Sequence, residues 1–120
     1  MAEKHLLLLE DEEDVSELYQ LGLRSAGYRV DVAKNVAQAR QRLAASRFDL
    51  VIVDLRLPDG DGLQIADQAA DTGTKTCIVS SYLFHVPAAS TARHEVLMKP
   101  LRPRELVAHV ERLIGPARGP

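Results

Sequence analysis

The run Leu50-Val51-Ile52-Val53-Asp54-Leu55-Arg56-Leu57-Pro58-Asp59-Gly60-Asp61-Gly62 decides the fold. An apolar, largely β-branched segment stops on a carboxylate, and a proline and two glycines come directly after it. A short apolar run with no polar break suits a strand buried on both faces of a parallel sheet. Pro58 and Gly60 mark a turn, and Gly62 opens the next apolar-periodic segment. Asp54 therefore falls where a central strand gives way to a loop. In open parallel sheets that carboxyl-terminal edge is where ligands bind.

Toward the N-terminus, His5 to Leu9 reads as a first buried strand, followed directly by the acidic run Glu10 to Asp14. A helix then extends to about Ala26, with Val15, Leu18, Tyr19, Gly22 and Leu23 at helical spacing and Val15 and Leu18 expected in the core. Its acidic first turn complements the positive end of the helix dipole, and Gly27 ends it. Tyr28 to Val32 reads as a second strand, and Asn35 caps a second helix carrying Val36, Ala39 and Leu43. The opening strand begins near Phe48.

Toward the C-terminus, a third helix runs from Gly62 to about Asp71 and stops at Gly73. Thr76 to Val79 is a fourth strand, ending at Ser80-Ser81. Tyr82 to Glu95 carries little helical pattern, and Ala88 to Arg93 supports a short helix at most. Val96 to Met98 is a fifth strand, ending at Lys99-Pro100. Pro103 starts the last helix at its favoured first position, with Leu106, Val110, Leu113 and Ile114 as the buried stripe. Strands alternating with helices call for an α/β fold, a doubly wound five-stranded parallel sheet covered on both faces by right-handed crossovers.

One domain over residues 1–120 is expected, structured from about 5 to 114, with a frayed tail from Gly115 to Pro120. The formal charge of −2 gives no electrostatic grip on nucleic acid. Cys77 is the single cysteine, which excludes an internal disulfide and fits a reducing, cytoplasmic compartment. No run is long enough to span a membrane. Cys77 reads as an inert buried thiol, and His5, His85, His94 and His109 lack ligand spacing.

In this fold the residues just past the first, third, fourth and fifth strands emerge at one edge: Glu10 and Asp11, Asp54, Ser80 and Lys99. Glu12, Glu13 and Asp14 read as a solvated acidic turn. Carboxylates gathered there repel, since a pair about 4 Å apart costs roughly 4 kcal/mol at an effective dielectric of about 20. A bound cation removes that cost, and hard oxygen ligands without Cys or His favour Mg²⁺ over zinc. Lys99 is a point charge suited to a phosphoryl oxygen, and Ser80 can donate a hydrogen bond to the same group. Asp54 is the natural nucleophile, because an aspartate can carry a phosphoryl as an acyl phosphate.

On these residues the chain resembles the receiver domains of two-component response regulators. The matches are Glu10-Asp11, Asp54 with Pro58 and Gly62 after it, Ser80, and Lys99-Pro100, with Ala26-Gly27-Tyr28 and the Ala33, Ala39, Leu43 spacing beside them. The resemblance implies a flavodoxin-like (βα)₅ sheet of order 2-1-3-4-5. It implies that Asp54 accepts a phosphoryl group from a phosphohistidine on a sensor histidine kinase or histidine phosphotransfer protein, and then switches an unknown downstream partner. Asp11, Asp54 and the backbone carbonyl of Arg56 would ligate Mg²⁺, with Glu10 helping directly or through water. A cis peptide is expected at Lys99-Pro100. The module is a switch and not a turnover enzyme, with no nucleic acid contact of its own.

The chain departs from the family pattern at four places. Glu10 replaces the commoner aspartate, Ser80 the commoner threonine, and Val96 an aromatic that swings inward in relatives. The interval from Ser80 to Lys99 is also short, so the fourth helix should be shrunken or mobile. Output is therefore expected through ordering of the Tyr82 to Glu95 segment. Arg56 and Tyr82, which flank the site, are expected to slow hydrolysis of the acyl phosphate. The main alternative is a phosphorylation-independent interaction module with a degenerate switch. A phosphohydrolase of the aspartate-nucleophile type needs a second acid two residues after the nucleophile, where this chain has Arg56.

Overall fold

A computed structural model describes residues 3–81 and 86–117. The elements in chain order are β1 (His5–Leu9), α1 (Glu13–Ser25), β2 (Arg29–Ala33), α2 (Val36–Ala45), β3 (Leu50–Val53), β4 (Arg56–Leu57), β5 (Gly60–Asp61), α3 (Gly62–Asp71), β6 (Lys75–Ser80), α4 (Ala88–Thr91), β7 (Glu95–Met98) and α5 (Pro103–Ile114). Five strands form a parallel sheet of order β2-β1-β3-β6-β7, which is the expected 2-1-3-4-5 once the ribbon β4-β5 is set aside.

Why Leu6 to Leu9 and Leu50 to Val53 are apolar without interruption is plain from the layers. Leu6, Leu8, Leu50 and Ile52 face one core with Tyr19 and Leu23 of α1 and Leu106 and Val110 of α5. Leu7, Leu9, Val51 and Val53 face the other, with Ala39 of α2 and Ile65, Ala66 and Ala69 of α3. Each such leucine contributes roughly 1.5–3 kcal/mol by leaving water, so alternation with polar residues is unavailable to these strands.

Two expectations fail here. Leu18 is 55% exposed, not in the core, because α1 buries Ser16, Tyr19 and Leu23 and Leu18 lies one helical step off that stripe. Val15, half-buried, does pack against the core. The C-terminal tail is also docked further than expected: Tyr28 Oη donates to the Gly115 carbonyl at 2.6 Å, and Ala117 is buried against the first core. Cys77 is buried as expected, and that burial pushes its thiol pKa up to about 12.

Helix ends obey local chemistry. Asn35 accepts the Gln38 N–H at α2, and Asp61 accepts the Leu63 N–H at α3. Arg102 N–H donates to the Glu105 carboxylate behind Pro103 at the start of α5. The fourth helix is a single turn, as its poor pattern forecast, while residues 82–85 of that segment lie outside the described residues. Among the described residues no helix is long and apolar enough to cross a membrane.

Candidate functional site at the carboxyl edge of the sheet

Strand pairing sets the site. Glu10 N–H donates to Ala33 O, and Asp54 N–H donates to Leu9 O at 2.9 Å, so both carboxylates leave the sheet at one level. The carboxylate oxygens of Glu10, Asp11 and Asp54 come within 4.8 Å of one another. Lys99, one residue past β7, reaches in between: its Nζ donates to Glu10 Oε1 at 2.5 Å and to Asp54 Oδ2 at 3.0 Å. Lys99 N–H donates to Ser80 O at 3.2 Å, which ties the lysine to the end of β6. The Lys99-Pro100 peptide is cis.

Burial decides the electrostatics. Glu10 is 2% exposed and Asp54 9%, whereas Asp11 is exposed. Burial raises the Glu10 pKa above the ordinary carboxylate range, even though Lys99 pulls it down. For Lys99 burial pulls downward, but the hydrogen bonds to Glu10 and Asp54 outweigh it, and its pKa rises. Three carboxylates against one ammonium leave an excess of negative charge. All the donors are hard oxygens, a set that fits a divalent cation of the Mg²⁺ kind.

The crossover from β3 to α3 is built around Asp54. Arg56 N–H donates to Asp54 Oδ1 at 3.1 Å, and Gly62 N–H donates to Leu55 O at 2.9 Å. A Cβ on residue 62 would lie 2.0 Å from the Asp54 carbonyl oxygen and 2.6 Å from Val53 Cγ1, so only glycine fits. Pro58 and Asp59 make the turn of the β4-β5 ribbon, in which Arg56 pairs with Asp61 and Leu57 with Gly60.

The structure thus brings together Glu10, Asp11, Asp54 and Lys99 of the expected set. It places Ser80, fully buried, at the end of β6 beside Lys99, and Arg56 at the start of the ribbon on an exposed position. Glu12, Glu13 and Asp14 are exposed, as expected of a solvated turn. Val96 is half-buried against the second core. Tyr82 lies outside the described residues.

Two groups escaped the sequence reading. Asp59 accepts backbone N–H groups of α2, and His94 is hydrogen-bonded to Thr76 Oγ1 through Nδ1 and to Asp67 Oδ1 through Nε2 at 2.7 Å. The lack of ligand spacing around His94 was legible. Its placement just before β7, where it meets both β6 and α3, was the available signal.

Known proteins share this fold and resemble this sequence. Residues 6–111 match the model of the response regulator receiver domain. The chain is 34% identical to the response regulator protein PilR of Pseudomonas aeruginosa over 97% of its own length but 28% of that protein's. It is 31% identical to the response regulator receiver protein CpdR of Brucella abortus, over 92% of this chain and 97% of CpdR. Among solved structures, the response regulator TrrA of Thermotoga maritima in complex with Mg²⁺-BeF superposes with a TM-score of 0.83 at 27% identity, covering 92% of this chain and 98% of that one. TrrA in complex with the histidine kinase ThkA superposes at 0.81, also at 27% identity and over 92% and 98% of the two chains. The chain belongs to the receiver-domain family of two-component response regulators.

Proposed function

We propose that this chain is a Mg²⁺-dependent phosphoacceptor switch in which Asp54 takes a phosphoryl group from a phosphohistidine. One observation carries the reading: three carboxylates gathered within 4.8 Å, with the Lys99 ammonium 3.0 Å from Asp54 Oδ2. An Asp54 oxygen attacks phosphorus as the donor's N–P bond breaks. The electron pair of that bond stays with the imidazole, and an acyl phosphate is left on Asp54. Lys99 tracks the phosphoryl oxygens and offsets their charge. Ser80 donates its hydroxyl hydrogen to the same group. Arg56 N–H and Lys99 Nζ, one on each oxygen of Asp54, hold the plane of the carboxylate.

Asp11, Asp54 and the Arg56 carbonyl would hold the cation, with Glu10 contributing directly or through water. Bound Mg²⁺ supplies charge neutralisation at the transferring phosphoryl. A sensor histidine kinase or a histidine phosphotransfer protein is the proposed donor, supported by the solved pairing of TrrA with ThkA. Residues 5–114 act as one receiver unit, a cytoplasmic signalling module and not a turnover enzyme, with a protein target downstream and no nucleic acid contact.

The one-turn α4 and the non-aromatic Val96 favour a second reading, an interaction module that works without phosphorylation. Incubation with Mg²⁺ and acetyl phosphate, followed by intact-mass measurement, separates the two. Wild type should gain one phosphoryl group and Asp54→Asn none. No uptake by wild type selects the interaction module.

A further inference from the structure

Asp59 differs from the other carboxylates of the β3-α3 crossover in holding a helix that this crossover does not lead into. Its Oδ1 accepts Val36 N–H at 2.7 Å and its Oδ2 accepts Ala37 N–H at 3.1 Å. Asn35 takes the Gln38 N–H at 2.8 Å, so the first turn of α2 is divided between a local cap and one reaching over from the ribbon. The approach is close: a Cβ on Gly60 would lie 3.2 Å from Val36 Cγ2. Asp61 fastens the other end of the ribbon to α3 through Leu63 N–H at 2.9 Å.

The ribbon needs such fastenings. Each of its strands has two residues, and a lone hairpin of that size has marginal stability in water. Yet it carries Arg56, whose N–H meets Asp54 Oδ1. Hydrogen bonds from backbone N–H groups to an ionised carboxylate are roughly twice as strong as neutral ones.

We propose that Asp59 is a positioning residue for the phosphoacceptor site: by clasping the N-terminus of α2 it fixes the ribbon from which Arg56 serves Asp54 and the cation. The assignment rests on the function proposed above. Linkage makes it reciprocal, so a cation bound at the site should strengthen the clasp.

Calorimetric titration with Mg²⁺ tests it on wild type, Asp59→Ala, Asp59→Asn and Asn35→Ala. Asp59→Ala should weaken Mg²⁺ binding by roughly fivefold or more, the low end of ordinary site-to-site coupling. Asp59→Asn keeps one acceptor oxygen and should fall between it and wild type. Asn35→Ala, which removes the other cap of the same helix, should bind Mg²⁺ like wild type. The loss in Asp59→Ala should persist at high salt, which screens a mere through-space change in charge. In wild type, amide exchange at Val36 and Ala37 should slow when Mg²⁺ is added.

Wild-type affinity in Asp59→Ala overturns the assignment, as does an equal loss in Asn35→Ala or a loss that vanishes with salt. Wild type that neither binds Mg²⁺ nor takes up phosphoryl overturns the proposed function itself, and this inference with it.

Discussion

Two crossovers leave the same edge of the sheet and are built in opposite ways. Between β3 and α3, side chains fasten the loop at both ends, Asp59 onto α2 and Asp61 onto α3, with Gly62 pressed against the Asp54 carbonyl. Between β6 and β7, the described part of the loop holds a four-residue helix with no side-chain cap and no buried residue. Its fastenings lie downstream, where Arg93 pairs with Asp71 at 2.6 Å and His94 bonds to Asp67 and Thr76. The chemistry proposed at Asp54 needs a loop held still, whereas a switch needs an element that costs little to rebuild. The first crossover is fastened by side chains at both ends, whereas α4, in the described part of the second, has neither a side-chain cap nor a buried residue, although Val86 before it packs against the second core.

The largest effect should come from adding one methyl group at the rigid crossover. Gly62→Ala drives a Cβ into the Asp54 backbone and Val53, so a loss of about 3 kcal/mol or more is expected, along with loss of phosphoryl uptake. Urea denaturation reads the first and mass measurement the second. Near-wild-type stability would mean that the loop yields, and the contrast would fail.

Next in size is His94→Ala, which removes the partner of the buried Thr76 hydroxyl and the bond to Asp67. A loss of about 2 kcal/mol is expected in urea denaturation, with phosphoryl uptake retained. If uptake fell as steeply as stability, the two crossovers would be coupled parts of one site.

A pH series on Asp59 sharpens the comparison further. The N–H of Val36 in particular holds the Asp59 pKa below the ordinary carboxylate value. A depressed folded pKa means that the clasp contributes stability above the unfolded pKa and loses it as pH falls through the folded one. The stability gap between wild type and Asp59→Asn should therefore be present at neutral pH and close below about pH 4. A gap that widens in acid would contradict the clasp.

The smallest effect belongs to the second crossover. Ala89→Gly in α4 should cost less than about 0.5 kcal/mol, below the usual penalty for glycine inside a helix, because a four-residue turn has no helix interior. A cost near the full penalty would show that α4 is load-sharing structure after all.

Much of this was legible in the sequence because the determinants are local. Leu50 to Val53 announces a doubly covered strand by composition alone, and the residue that breaks each apolar run marks the edge where Glu10, Asp54, Ser80 and Lys99 gather. The remainder depends on the register between distant elements. Asp59 reaches Val36 across 23 residues, and His94 reaches Thr76 across 18. Neither shows in any periodicity. Leu18 misled because apolar spacing along one helix does not say which of two neighbouring stripes meets the sheet. Ala117 escaped because glycine and proline signal where a helix ends and carry no sign that the next residues dock.

The central claim is that Asp54, and no other carboxylate of the cluster, is esterified by phosphate with the help of a cation. Borohydride reduction after phosphorylation converts an aspartyl phosphate to homoserine and records its position for peptide mapping. The account predicts homoserine at residue 54, present with Mg²⁺ and absent when the metal is chelated. Homoserine at residue 11, or at residue 54 regardless of the metal, would contradict it.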